Sequence, residues 1–84
     1  MRLDKFLKVS RIIKRRAVAK EVSNKGLILV NSKQAKPSSN VNEGDILEIR
    51  IKNTIYKYRI EKILEHATEE KALSMYSLLE EKSL

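Results

Sequence analysis

The sequence predicts an α+β domain: two N-terminal helices packed on a small, mainly antiparallel sheet, followed by a C-terminal helix. Three observations carry that expectation. Apolar residues recur at helical spacing near both ends of the chain, the segment from Ile46 to Glu61 alternates with period two, and Gly26 and Gly44 stand at the joins. Eighty-four residues suit one domain spanning 1–84, and without cysteine neither a disulfide nor a thiolate metal site can hold it together. Its stability has to come from an aliphatic core, for which Ile, Leu and Val are abundant. The lack of cysteine, of a long apolar run and of an apolar leader core after Met1-Arg2 points to a cytoplasmic protein and away from a membrane span.

Residues 2–10 read as a short amphipathic helix. Leu3, Phe6 and Leu7 share one face, Lys5 and Lys8 lie opposite, and Asp4 complements the dipole in the first turn. Residues 11–14 read as a turn in which Ile12 and Ile13 plug the core. A second helix is expected over Arg15–Lys25, with Val18 and Val22 facing inward, Arg16 and Lys20 outward, and Gly26 as a left-handed stop. No Ser, Thr or Asp caps its start, since Lys14 and Arg15 occupy that place.

Leu27–Val30 is a short strand, and Asn31-Ser32-Lys33 suits a tight turn into Gln34-Ala35-Lys36. After the loop Pro37-Ser38-Ser39-Asn40, a second turn signal stands at Glu43-Gly44-Asp45. Leu47, Ile49 and Ile51 then alternate with Glu48, Arg50 and Lys52. Tyr56, Tyr58 and Ile60 alternate with Lys57, Arg59 and Glu61, which makes an antiparallel hairpin with one wet face. From Thr68, a plausible N-cap, to Lys82 the spacing of Ala72, Met75, Tyr76 and Leu79 predicts a closing helix that covers the sheet.

Charge is the strongest functional signal. Fifteen of the eighteen Lys and Arg residues lie between Arg2 and Arg59 against five acidic residues, a net of +10, whereas the remaining 25 residues carry −3. Arg2, Lys5, Lys8, Arg11, Lys14, Arg15, Arg16 and Lys20 fall within 19 residues, where only Asp4 is acidic. Solvated helix faces usually mix both signs. A merged cationic plate on two helices suits phosphate, which Arg grips with a planar fork and Lys meets with a mobile point charge. With no cysteine-histidine finger and no heptad-bearing basic helix, structured RNA is favoured over DNA.

The strings Arg2-Leu3-Asp4-Lys5-Phe6-Leu7, Arg15-Arg16-Ala17-Val18-Ala19-Lys20, Gly26-Leu27-Ile28-Leu29-Val30-Asn31, Lys36-Pro37-Ser38 and Gly44-Asp45 resemble the small RNA-binding domain named after ribosomal small-subunit protein four, the alpha-L motif. The likeness covers roughly residues 1–51. Among stand-alone members the chain is most similar to the RqcP group of ribosome-associated quality control, and also to heat-shock protein fifteen. The resemblance implies that Arg2, Lys5, Lys8, Arg11, Arg15, Arg16, Lys20 and Lys36 face RNA, and that Asp4 orients Arg2 or Arg16. It implies, as partners, the rRNA of obstructed large ribosomal subunits, a peptidyl-tRNA steadied during alanine tailing, and an RqcH-type factor on the same subunit. A heat-shock-protein-fifteen-like recycling role is the alternative. Two departures stand out: Ser32 where many members have Gly, and Ser23 where many have an aliphatic residue.

Other chemistry has little support. His66 is the only histidine and has no Cys, His or Asp cluster around it, so no metal, cofactor or catalytic role is expected. Ser10, Ser38 and Ser39 lack a base partner. Tyr56, Tyr58 and Tyr76 are read as core, and the hairpin cations as a solvated face or a secondary RNA contact. The expectation is a non-enzymatic, monomeric RNA-binding protein. Arg2 and Arg16 are read as surface residues whose loss spares folding.

Overall fold

The computed structural model describes residues 1–84. Two helices, α1 (Leu3–Val9) and α2 (Arg16–Asn24), precede the strands β1 (Ile28–Val30), β2 (Lys33–Gln34), β3 (Ile46–Ile51) and β4 (Thr54–Ile60). A one-turn helix α3 (Glu69–Ala72) and a 3-10 turn (Leu73–Met75) lead into a last strand, β5 (Tyr76–Ser83). The five strands form one antiparallel sheet in the order β2-β1-β3-β4-β5. The α+β class and the helix–helix–sheet order are those the sequence predicts.

The core gathers Leu3, Phe6 and Leu7 of α1, Ile13, Ala19 of α2, Ile28, Val41, Leu47 and Ile49 of β3, Ile60 and Met75. Burying each large aliphatic or aromatic side chain in this group contributes about 1.5–3 kcal/mol. Because β3 pairs with both β1 and β4, Leu47 and Ile49 sit at the centre of the sheet beneath the helices.

The breakers act where expected. Gly26 takes φ 74° and closes α2 with two bonds, its own N–H donating to the Ser23 carbonyl at 3.0 Å and the Leu27 N–H to the Val22 carbonyl at 3.3 Å. A Cβ at Gly26 would stand 2.8 Å from Gln34 Nε2, the end of a flexible side chain that can swing away, so it is the left-handed backbone that favours glycine there. Asn31 and Ser32 both adopt left-handed backbone, φ 50° and 70°, in the two-residue turn between β1 and β2. Asn31 suits that geometry and also receives the Ile46 N–H on its side-chain oxygen at 2.9 Å. Ser32 holds it without glycine's freedom.

Two expectations are corrected. Val18 is 42% exposed, and the inner face of α2 is carried by Ala19 and Ser23 with Val22 half-buried beside them. Small residues fill this contact, and buried Ser23 is satisfied by donating to the Ala19 carbonyl at 2.8 Å. The helix predicted to Lys82 ends at Ala72 and gives way, after the 3-10 turn, to β5. Thr68 does cap α3, accepting from the Lys71 N–H at 3.2 Å.

Residues 76–83 extend because β4 otherwise presents an unpaired edge, and pairing along its whole length satisfies those groups. Tyr76 also meets Tyr58 edge-on, with ring centroids 5.4 Å apart. The register slips between Lys57 and Tyr58, so Leu79 bulges from the ladder between Leu78 and Glu80. The acidic tail is therefore an edge strand, not a helical cover. No helix is long and apolar enough to cross a membrane.

Candidate nucleic-acid interface

The site begins at the start of α1, whose exposed amides need acceptors. Arg2 at the N-cap supplies no side-chain cap. Instead the loop after β2 delivers two carbonyls: Leu3 N–H donates to Ser39 at 2.8 Å and Asp4 N–H to Pro37 at 3.1 Å. Lys5 N–H donates to Asp4 Oδ1 at 2.8 Å. The Lys36-Pro37-Ser38-Ser39 loop thus locks the helix start in place, and with it Asp4.

Asp4 is fully buried, yet it lies between two guanidinium groups that reach solvent. Arg2 Nε stands 3.1 Å from Oδ1 and Arg16 Nε 3.2 Å from Oδ2, with the Arg side chains 50% and 42% exposed. Burial pushes the Asp4 carboxyl upward, but hydrogen bonds and charge from Arg2 and Arg16 outweigh it and hold the group below its ordinary value. The carboxylate therefore stays ionised and aims both forks from one fixed point. Arg2 and Arg16 come from different elements, so this triad also ties the start of α1 to the start of α2.

Beside the triad, Lys5, Lys8, Arg11, Lys14 and Arg16 line one open cleft of about 330 Å³. Four of these are among the residues singled out by resemblance; Lys14 belongs to the charge cluster only. The far wall comes from Glu65, His66 and Ala67, in the segment between β4 and α3. No local pattern in the sequence places that wall here, because nothing near either residue links residue 65 to residue 5. Lys5 pairs with Glu65, and the Arg11 guanidinium reaches the Ala67 carbonyl at 3.4 Å. Arg11 itself follows α1 with φ 63°, a left-handed conformation that favours glycine.

The remaining candidates lie apart from the cleft. Arg15 is the exposed N-cap of α2, with no side-chain cap bond, and Lys20 is exposed along the same helix. Lys36 lines a separate shallow depression with Asn24 and Gln34. On the outer sheet face, Lys57 lies 3.4 Å from Glu48 and 3.8 Å from Glu80, which makes that surface mixed in sign.

Such a fold, carrying a cationic cleft with a buried carboxylate at its edge, defines a small α+β domain with a surface complementary in charge to polyanions. Residues 1–47 match the S4 domain, and the chain belongs to that family. It is 56% identical over 81 residues to a protein of Listeria innocua named RQC P-site tRNA stabilizing factor, covering 96% of this chain and 88% of that one. A protein of the same name from Bacillus subtilis is 46% identical over 84 residues, 100% of this chain and 98% of that one. Among solved structures, the trimeric heat shock protein 15 of Vibrio cholerae superposes with a TM-score of 0.86 at 30% identity, covering 94% of this chain and 81% of that one.

Proposed function

We propose that this chain is a non-enzymatic RNA-binding factor of ribosome-associated quality control. It binds obstructed large ribosomal subunits through rRNA and peptidyl-tRNA and steadies the tRNA while an RqcH-type factor adds C-terminal alanine. The observation that carries the reading is near-full-length similarity to proteins whose name states tRNA stabilisation in that pathway. The cleft supplies a mechanism that fits. Arg2 and Arg16, held by Asp4, each present a fork to phosphate, and Lys5, Lys8, Arg11 and Lys14 add charge without base selectivity. Arg15, Lys20 and Lys36 extend the contact beyond the cleft. Positioning a tRNA needs no reacting group, and the protein acts as a monomer in the cytoplasm.

Engagement of about six phosphates makes affinity for large subunits fall roughly a thousandfold between about 50 and 200 mM salt. A flat salt response in a filter-binding assay overturns the reading. The structural likeness to heat shock protein 15 favours a second possibility, recycling of nascent-chain-bearing subunits. Tagged protein that brings down large subunits with peptidyl-tRNA and an RqcH-type partner supports the first role. Subunits lacking that partner, with alanine tails unchanged when the protein is deleted, support the second.

A further inference from the structure

We infer that Glu65 is an internal stand-in for RNA phosphate, a carboxylate that occupies Lys5 in the free protein and must be displaced when RNA binds. This rests on the reading of the cleft as an RNA surface.

Glu65 is the only carboxylate among the nine residues lining the cleft, where Lys5, Lys8, Arg11, Lys14 and Arg16 are cationic. It pairs with Lys5 across 60 residues of chain. The hydrogen bond and charge of Lys5 draw the Glu65 carboxyl below its ordinary value, so in the free protein the pair is a carboxylate facing an ammonium. The pair is open to water, with Glu65 69% and Lys5 33% exposed. An exposed pair of this kind contributes little to stability. Structural need is therefore a weak reason for a carboxylate here. Asp4, the other acid nearby, is buried and paired with Arg2 and Arg16, so it does not compete with phosphate for Lys5.

A phosphate that takes Lys5 leaves Glu65 without its partner among incoming negative charge. Every polyanion that uses Lys5 meets this penalty, which lowers affinity and speeds release. The effect is electrostatic, so it appears in the salt dependence as well as in the affinity itself.

The test compares the full chain with Glu65→Gln and Glu65→Ala on two probes, large ribosomal subunits and unstructured polyuridylate RNA. Both variants are expected to melt as the wild type does and to bind both probes about three- to tenfold more tightly at roughly 50 mM salt. The slope of log affinity against log salt steepens by about one. In a Lys5→Met background, Glu65→Gln should change affinity less than half as much on a logarithmic scale. Unchanged affinity and slope, with wild-type binding to large subunits intact, overturns this inference alone. Failure of the wild type to bind large subunits overturns the parent reading and this one with it.

Discussion

Asp4 Oδ2 lies 3.2 Å from Arg16 Nε, a contact between a carboxylate with no solvent exposure and a guanidinium nearly half exposed. The acid is held inside the fold while its partner faces outward. Because one residue opens the first helix and the other the second, the pair converts a buried charge into a fixed direction at the surface. Four expected outcomes concern the triad and its surroundings, and a fifth the turn between β1 and β2.

Removing the carboxylate affects fold and site together. Asp4→Ala deprives the Lys5 amide of its acceptor and frees both guanidiniums. The cost is about 2–3 kcal/mol, since the Arg groups can turn to water. For a domain this small each kcal/mol lowers the melting temperature by roughly 4–8 °C. Asp4→Asn retains an acceptor and should lose about half as much. Thermal melts followed by circular dichroism read both.

The same carboxyl sets an acid limit. Its folded value lies below the ordinary 3.8, so its stabilisation is complete above that value and is lost as pH falls through the folded one. Wild type and Asp4→Asn should therefore differ by a constant amount from neutral pH down to about 4. The gap should close only in more acid solution, which a series of melts across that range measures.

Arg16→Ala should weaken large-subunit binding about tenfold or more, the worth of a charge-assisted contact. Reading Arg2 and Arg16 as surface residues leads to the expectation that folding is spared. Buried Asp4 changes that. A single substitution leaves one guanidinium on the carboxylate and lowers the melt modestly, but Arg2→Ala with Arg16→Ala strands a buried charge and costs about 3 kcal/mol or more. Melts of the single and double variants, beside binding assays, separate the two effects.

Arg11 shows strain and function pulling apart. Its left-handed backbone costs about 1–2 kcal/mol for a non-glycine residue, partly offset because glycine loses more freedom on folding. Arg11→Gly should leave the melt unchanged or raise it, while the salt slope of RNA binding falls by about one. A lower melt would assign Arg11 to the scaffold.

Ser32 offers a change remote from the cleft. Placing glycine at its φ of 70° relieves the turn between β1 and β2, and Ser32→Gly should stabilise the fold by about 0.5–1 kcal/mol with RNA affinity unaltered. Chemical denaturation and binding measured on one preparation check both halves.

The legible parts of this molecule are those written within a single segment. Leu3, Phe6 and Leu7 announce the buried face of α1, Gly26 its neighbour's end, and the alternation from Ile46 to Ile60 the β3–β4 hairpin. Clustering of cations before residue 21 likewise marks the surface that polyanions would seek. Each of these depends on spacing between near neighbours, which the chain carries whatever its tertiary structure.

Long-range pairing decided the rest. Residues 76–83 have apolar spacing that a helix or a strand could use, and the open edge of β4 selected the strand. Val18 and Ala19 differ by one step of helical phase, and packing against the core chose the smaller side chain. The cleft needed Glu65 and Ala67 to arrive beside Lys5 and Arg11, an encounter across more than 50 residues that no local pattern encodes. The sequence alone determined where positive charge gathers. Only the folded chain determined which carboxylates meet it, because ion pairs between distant segments form where the sheet register and the helix packing bring them together.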